Sequence, residues 1–177
     1  MQGRCDSPLT EEGILEVKNL RDKLKEVHFA AVYSSTAGRA LRTAELILRG
    51  RDVEIIESPD LREIDLGSWE GRKFDDIDME SPDNFRRFWE DPQRFVPQGG
   101  ESAEELLERG TRVIRKIINQ HPGEKVLVVS HYCILKAILI HLQGRPLKEL
   151  WDHPELAPAS LTVYDTDTGE LTLTSTR

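Results

Sequence analysis

A short apolar run that ends in a histidine is the feature of this sequence that most constrains its fold. The run Val126–Val129 is followed by Ser130 and His131 and then by a second apolar segment, 133–142. Four successive aliphatic residues are typical of a parallel strand buried on both faces, and the next segment has the length of a helix. We therefore predict that His131 lies at a strand's carboxyl end and beside a helix N-terminus, where α/β folds bind anions.

The same order of strand, loop and helix recurs along the chain. Thr10 precedes a helix with apolar residues every three to four positions, and residues 34–36 are candidate N-caps of a second helix. Two alternating stretches flank an Asp- and Gly-containing turn near the end of the sequence, which indicates a hairpin. The predicted strands span 29–33, 53–56, 126–129, 160–164 and 170–174, and the predicted helices span about 11–27, 38–49, 101–121 and 133–142.

We predict an α/β fold, a three-layer α/β/α sandwich around a mostly parallel sheet. The length fits one domain, 1–177, since neither composition nor a linker-like stretch suggests a second. Residues 72–100 are polar, acidic and interrupted by three prolines, yet they carry five aromatic side chains. We expect this stretch to be an irregular insertion, or lid, over the sheet.

Composition excludes several kinds of partner. The formal net charge is −8, which gives no support to a nucleic-acid partner or an anionic membrane surface. The two cysteines, Cys5 and Cys133, form no disulfide framework or zinc-binding spacing. No apolar run approaches the length of a membrane span, and the N-terminus lacks a signal-peptide pattern. We expect a cytoplasmic protein.

Arg39 is a candidate anion ligand. It falls in the first turn of a predicted helix, where the helix dipole disfavours a cation, so a negative group is expected nearby. Guanidinium geometry matches phosphate bidentately, and Ser34, Ser35 and Thr36 would complete an oxyanion pocket. The alternative is a solvated arginine at a helix end.

His131 and Glu63 are the other candidates. Taken alone, His131 fits a buried histidine bonded to backbone, and Glu63 fits an acid that is solvated or paired with Arg62. Arg39 and His131 each follow a predicted strand, and the ends of adjacent parallel strands face one crevice. A shared phosphate site therefore explains the two residues together better than two unrelated local roles. Apolar neighbours within 61–69 would desolvate Glu63 and raise its pKa enough for proton donation.

Five stretches of the sequence share a recognisable pattern, and they are residues 2–13, 33–45, 61–71, 99–102 and 129–131. In this order along the chain, they resemble the histidine phosphatase superfamily, the phosphoglycerate-mutase-like proteins. The resemblance covers almost the whole chain and implies a phosphoglycerate-mutase-like fold. The Trp-Glu-Gly ending of the third stretch and the aromatic segment before Pro97 are most similar to the cofactor-independent, broad-specificity phosphatase branch.

The resemblance implies phosphate release from small phosphorylated metabolites through a phosphohistidine. Arg39 and His131 would bind the equatorial phosphoryl oxygens, and Glu63 would be the acid for the leaving alcohol and then the base for water. No metal or other cofactor is expected, because the cationic side chains supply the charge that Mg²⁺ supplies elsewhere. A homodimer is a possible assembly. The residues that would lie near the substrate are Gln2, Gly3, Arg39 and Tyr132.

One departure from the family pattern is large. Members begin with a central strand that ends in Arg-His-Gly, whose histidine is the nucleophile, and this sequence contains no Arg-His-Gly. The histidines His28, His121, His141 and His153 do not match that position. We expect the first central strand to be missing and both ends to be shortened relative to the family. Tyr132 stands where the family usually has glycine, and its side chain would either narrow the pocket or point away.

The sequence leaves two functions open. The first is a phosphomonoesterase whose complete form includes the nucleophile, so that this chain would be poorly active or inactive. The second is a non-catalytic phosphate-binding or interaction protein, which the acid motif around Glu63 disfavours. Within the family, a phosphoglycerate mutase is disfavoured because the acidic segment 75–91 offers only Arg86 and Arg87, and an alpha-ribazole phosphatase stays open. The aromatics of 74–95 hint at apolar phosphate esters, although a core or lid role is favoured.

Overall fold

The computed structural model describes residues 1–152 and 154–174, so His153 lies outside the described residues. Within those ranges the chain forms helices and strands joined in part by short 3₁₀ turns. The helices are α1 (Glu11–Lys23), α2 (Gly38–Ile47), α3 (Phe74–Glu80), α4 (Pro82–Glu90), α5 (Ala103–Gln120) and α6 (Tyr132–Leu142). The strands are β1 (Ala31–Ser35), β2 (Ile55–Ser58), β3 (Val126–Val129), β4 (Leu161–Tyr164) and β5 (Leu171–Thr174).

The main sheet is parallel and has β1 at its centre, in the order β2-β1-β3. Every residue of β1 is buried, whereas β3 alternates between buried and half-buried residues. Strand β3 is therefore buried on one face and half-buried on the other, where Val126 and Val128 pack against the core. No strand within the described ranges pairs with the outer edge of β3.

Helices cover both faces of the sheet, which gives the predicted three layers. On one face, Val32, Leu127 and Val129 pack with apolar residues of α1 and α2. On the other face, Ala31 and Tyr33 pack with α5, α6 and the aromatic residues of the insertion. The alternation of β1 residues between the two clusters is the period-two pattern of a strand.

The insertion is more regular than predicted, because most of it is helical in α3 and α4. Pro82 takes the first position of α4, where its missing N–H costs nothing, so proline opens this helix rather than breaking it. Phe85, Phe88 and Trp89 then follow the three- and four-residue spacing of one helix face. The C-terminal hairpin is confirmed, with β4 and β5 antiparallel and separate from the main sheet.

Several element boundaries differ from the predictions by a few residues. Strands β1 and β2 begin two residues late, because Phe29 and Val53 pack against the α1 and α2 side of the core instead of pairing. Thr10 caps α1 as expected, and Ser102 forms a capping box with Glu105 at the start of α5. Helix α1 ends at Lys23, before the predicted 27. In the described ranges, no helix is long and apolar enough to cross a membrane.

Candidate phosphate-binding site

A pocket of about 350 Å³ lies where the loops that follow β1, β2 and β3 meet. The three candidate groups lie just after these strands, as expected for parallel strands whose carboxyl ends share one edge of a sheet: Arg39 is in the first turn of α2, and Glu63 and His131 are in loops. The pocket is also lined by the first residues of the chain and by aromatic side chains of the insertion. Six residues predicted from sequence line it: Gln2, Gly3, Arg39, Glu63, His131 and Tyr132.

Arg39 is not a solvated helix-end arginine, since only 15% of its side chain is exposed. Its guanidinium donates to the backbone oxygens of Cys5 at 2.8 Å and Gly3 at 3.1 Å. It also pairs with the Asp6 carboxylate at 3.2 Å. The N-terminal segment therefore fixes the direction in which this cation faces the pocket.

A negative group was expected beside Arg39 because it is a cation in the first turn of α2, and Asp6 is that group. One carboxylate oxygen of Asp6 accepts from Gly38 N at 2.8 Å, and the other accepts from Arg39 N at 3.4 Å. Asp6 thus caps α2 from a distant part of the chain. The prediction that a residue of 34–36 caps α2 is wrong, since the N-cap is Ala37, without a side-chain bond. Sequence reasoning missed Asp6 because its partner lies more than thirty positions away.

Gly3 allows the N-terminal segment to approach the acid loop. Its φ is +54°, a left-handed conformation, and a Cβ there would lie 2.5 Å from Glu70 Oε1. The same Glu70 oxygen accepts from Arg4 N at 2.7 Å. Any larger residue at position 3 would displace this contact and the carbonyl that Arg39 uses.

His131 follows β3 and is buried against β1. Its Nε2 shares a hydrogen bond of 2.8 Å with Ser35 Oγ, which also accepts from Ala37 N at 3.2 Å. Ser34 and Ser35 are fully buried in β1, and neither lines the pocket. The pocket lining therefore does not support an oxyanion pocket formed by Ser34, Ser35 and Thr36. Ser35 instead holds the imidazole of His131 through a hydrogen bond.

The Glu63 carboxylate occupies the N-terminus of α6. It accepts from Cys133 N at 3.1 Å and from Ile134 N at 3.2 Å, as well as from Ile64 N at 2.8 Å. The α6 N-terminus was expected to offer its N–H groups to a phosphate. Because a carboxylate already accepts from Cys133 and Ile134, the anion favoured by the helix dipole is Glu63 itself.

The protonation chemistry of these groups follows from their burial. Burial raises the pKa of the Glu63 carboxyl, and the backbone N–H bonds offset only part of that rise. Burial, followed by the positive charge of Arg39, lowers the pKa of His131 to about 4. The pocket at neutral pH therefore presents a fixed cation, a neutral imidazole and a carboxyl group that takes up a proton more readily than usual.

The far wall of the pocket is aromatic. Phe74 and Trp89 are 51% and 38% exposed, and their rings pack edge to face with centroids 6.1 Å apart. Tyr132 lines the pocket and stacks on Trp151 at an interplanar angle of 7°. Its side chain therefore narrows the pocket rather than pointing away. Phe95 is buried in the core, and Phe88 is buried there as well but also lines the pocket, so the aromatic residues of the insertion serve both the core and the pocket wall.

Neither a metal site nor a second histidine is found near these groups in the described ranges. No three His, Cys, Asp or Glu side chains of residues 1–152 and 154–174 are grouped closely enough to hold a metal ion. His121 bonds to the Tyr33 hydroxyl and Glu124, and His141 accepts from Arg115. Of the four histidines in the described part of the chain, His131 lines the pocket.

The buried imidazole predicts how stability depends on pH. A histidine in an unfolded chain has a pKa of about 6.5, whereas that of His131 in the fold is about 4. The unfolded state binds more protons between these values, so this group's contribution to stability falls by about 3 kcal/mol as the pH drops from 6.5 to 4. His131→Gln should remove that contribution.

The measurement is the free energy of unfolding by urea at pH 4 and pH 7, for the wild type and His131→Gln. Glu63, with its raised pKa, acts in the opposite direction in both proteins, so the difference between them isolates His131. Equal pH dependence of the two proteins would show that His131 is not buried in its neutral form.

Comparisons with known proteins agree with this geometry. The family description "Histidine phosphatase superfamily (branch 1)" matches residues 1–177. Phosphoserine phosphatase 1 of Hydrogenobacter thermophilus is 32% identical over 150 residues, which are 85% of this chain and 71% of that protein. The adenosylcobalamin/alpha-ribazole phosphatase of Escherichia coli is 32% identical over 149 residues, 84% of this chain and 73% of that protein.

Solved structures show the same fold. The Bacillus stearothermophilus protein YhfR superposes with a TM-score of 0.91 at 39% identity, covering 98% of this chain and 86% of that one. An Escherichia coli protein described as a putative alpha-ribazole-5'-P phosphatase gives a TM-score of 0.87 at 30% identity, covering 98% and 85%. The chain therefore belongs to branch 1 of the histidine phosphatase superfamily, a family of enzymes with a phosphoglycerate-mutase-like α/β fold.

Proposed function

We propose that this chain carries the phosphate-binding and acid–base groups of a phosphomonoesterase. The observation that carries the proposal is that Arg39, Glu63 and His131, which follow three different strands, line one pocket. A fixed cation beside an imidazole suits the charge on a phosphoryl group, and a buried carboxyl suits proton transfer. The names of the relatives, which include two kinds of phosphatase, support the same chemistry.

In the first step, a nucleophilic histidine nitrogen attacks phosphorus and the bond from phosphorus to the substrate's ester oxygen breaks. Arg39 and His131 bind the remaining phosphoryl oxygens and stabilise the charge they carry in the transition state. Glu63 donates its proton to the departing oxygen, so the product leaves as a neutral alcohol. The raised pKa of Glu63 favours the protonated form that this step requires.

In the second step, water attacks the phosphohistidine and Glu63 takes its proton. The bond from phosphorus to the histidine nitrogen breaks, and inorganic phosphate leaves. None of the five histidines in this sequence matches the nucleophile, so the full cycle needs a histidine from an Arg-His-Gly strand. The open outer edge of β3 is where another parallel strand could pair.

The pocket wall supports substrates whose alcohol is apolar or aromatic. Phe74, Trp89 and Tyr132 place rings beside the phosphate-binding groups, and polar groups are few on that side. Within the family, the relatives' names suggest alpha-ribazole phosphatase and phosphoserine phosphatase, and also phosphoglycerate mutase. Phosphoglycerate mutase is less favoured, because Arg86 and Arg87 are both exposed and do not line the pocket.

Domain organisation, cellular location and assembly are the other features that we infer for this chain. We propose a single domain over 1–177 in which residues 72–100 cover the pocket, because Phe74 and Trp89 form part of its wall. The free thiols of Cys5 and Cys133 fit a reducing compartment, so the cytoplasm is the proposed location. A homodimer stays a prediction.

A second candidate function is phosphate binding without turnover. Two observations favour it: the absence of Arg-His-Gly, and the pairing of Arg39 with Asp6 and with two backbone oxygens. Such a protein would bind inorganic phosphate through Arg39 and His131 and leave phosphate esters intact. Hydrolysis of a phosphate ester by a chain extended with an Arg-His-Gly strand separates the two functions.

The binding groups are tested with the chain as it stands. Orthovanadate, which mimics the phosphoryl group, should bind to the wild type, and Arg39→Gln should weaken that binding about 10- to 100-fold, because hydrogen bonds to charged groups contribute about 1.5–3 kcal/mol. Isothermal titration calorimetry gives the affinity.

Arg42→Gln is the matched control, since Arg42 lies on the same helix, is exposed and pairs with Glu45 on the surface. It should bind vanadate like the wild type. Equal affinities for Arg39→Gln and the wild type, or no binding at all, would rule out the proposed site.

A further inference from the structure

A buried ion pair lies behind the acid loop, outside the pocket. The Arg109 guanidinium donates from Nε to Glu101 Oε1 and from Nη2 to Glu101 Oε2, both at 2.7 Å. The two side chains are 9% and 10% exposed. A two-pronged pair of this kind fixes both side chains in orientation as well as in distance.

The same guanidinium also holds the backbone of the acid loop. Its Nη1 donates to the carbonyl oxygens of Asp60 at 2.8 Å and Arg62 at 2.7 Å, and its Nη2 reaches that of Glu63 at 3.4 Å. Arg109 thus touches three of four successive residues that end at the proposed acid. A lysine has no planar fork and could not make these contacts together.

Glu101 ties the other side of the loop. Glu101 N donates to Asp65 O at 2.8 Å, and Asp65 N donates back to the Glu101 carboxylate at 3.4 Å. The preceding Gly100 makes this approach possible, since a Cβ there would lie 2.4 Å from Asp65 O and 2.7 Å from Gly67 N. Gly100 and Glu101 therefore both contribute to the close contact between the 99–102 stretch and the backbone of Asp65.

We propose that Arg109, paired with Glu101, is a positioning residue that holds the Glu63 carboxyl at the N-terminus of α6 and at the edge of the pocket. This rests on the proposed function, in which Glu63 transfers the proton. Arg109 touches neither the pocket nor the other two candidate groups. It acts through the backbone at Glu63, whose side chain then meets Cys133 N and Ile134 N.

Two roles of Arg109, stabilising the fold or positioning Glu63, lead to different expected results when it is replaced. If Arg109 only stabilises the fold, its replacement lowers the melting temperature and leaves the Glu63 carboxyl where it is. If Arg109 positions Glu63, the carboxyl loses its bonds to α6 in a protein that is still folded. Nuclear magnetic resonance separates these cases, because it reads the Cys133 and Ile134 amides and the Glu63 carboxyl individually.

The test is Arg109→Lys in the full chain, labelled with ¹⁵N and with ¹³C at glutamate carboxyls. The amide protons of Cys133 and Ile134 should move upfield as their hydrogen bonds weaken. The titration midpoint of Glu63 should fall towards that of a solvated glutamate, because the loosened loop exposes the carboxyl group whose burial raises its pKa. Arg112→Lys is the control, since Arg112 lies one turn further along α5 and pairs with the exposed Asp60 carboxylate.

A folded Arg109→Lys protein with the wild-type amide positions and Glu63 titration would overturn the proposal. If Arg109→Lys does not fold, Glu101→Gln decides in the same way, since it keeps the shape of the side chain but weakens its grip on the guanidinium. Vanadate titration of the wild type reports separately on the phosphate site. Absence of vanadate binding would contradict the proposed function, whereas the effect of Arg109 on the position of the Glu63 carboxyl would still be decided by the amide shifts.

Discussion

Adding an apolar strand that ends in Arg-His-Gly to the N-terminus is expected to raise the hydrolysis of p-nitrophenyl phosphate at least about 10³-fold over the 177-residue chain. Removing the nucleophile of an enzyme that works through a covalent intermediate commonly costs this much or more. Arg39, Glu63 and His131 already line one pocket, so under the proposed function the added histidine supplies the remaining group that turnover requires. Steady-state release of p-nitrophenol, with EDTA present, is the measurement.

The extended protein also tests each proposed role. Changing the new histidine to alanine should return the rate to that of the 177-residue chain. His131→Ala should lower kcat by about 10² to 10³, the usual cost of losing one group that stabilises transition-state charge. Glu63→Gln should lower kcat more for an alkyl phosphate than for p-nitrophenyl phosphate, because p-nitrophenolate leaves without a proton. An extended protein that binds vanadate and stays inactive would favour the second candidate function.

Arg39, His131 and Glu63 could be predicted from the sequence because neighbouring residues in the chain determine their surroundings. Arg39 was found because a cation in the first turn of a helix needs a negative neighbour, and Asp6 supplies it. His131 was found because a buried strand ended in an ionisable residue. The burial that raises the pKa of Glu63 followed from its apolar neighbours, of which Leu61 and Ile64 are almost fully buried.

The parts that were missed depend on contacts between distant segments. Nothing local shows that Ser35 would meet His131, 96 positions later, or that Glu63 would cap a helix beginning at Tyr132. The helices of the insertion were missed for another reason. Three prolines suggested an irregular chain, although Pro82 occupies the one helical position that tolerates proline without loss.

The order of the sheet shows how such contacts change a prediction. The run Val126–Val129 is the most apolar strand in the sequence, which suggested burial on both faces. Among the described residues it instead forms an edge of the sheet, and the centre is β1, which contains two serines. Ser34 and Ser35 are tolerated there because their hydroxyl groups find partners in the backbone and in His131.

Replacing Arg109 by leucine is expected to lower the free energy of unfolding by about 3–5 kcal/mol, the usual cost of breaking a buried ion pair from one side. The loss has two sources. Glu101, 90% shielded from solvent, keeps only the more distant Arg4 guanidinium at 3.6 Å as a cationic partner, and the carbonyl oxygens of Asp60 and Arg62 lose a short hydrogen bond each. Urea denaturation at low protein concentration measures the change, and Arg112→Leu, at an exposed pair, should cost less than about 1 kcal/mol.

The double variant Arg109→Leu with Glu101→Leu separates those two sources. A buried pair exchanged for two apolar residues is often neutral, because the cost of burying charge disappears with the charges. Here the carbonyl oxygens of the acid loop would still lack a donor, at about 1–3 kcal/mol for each one left unsatisfied. The double variant should therefore recover part of the loss and remain at least about 2 kcal/mol less stable than the wild type. Full recovery would mean that the pair merely fills space, and that Arg109 does not hold the loop on which Glu63 sits.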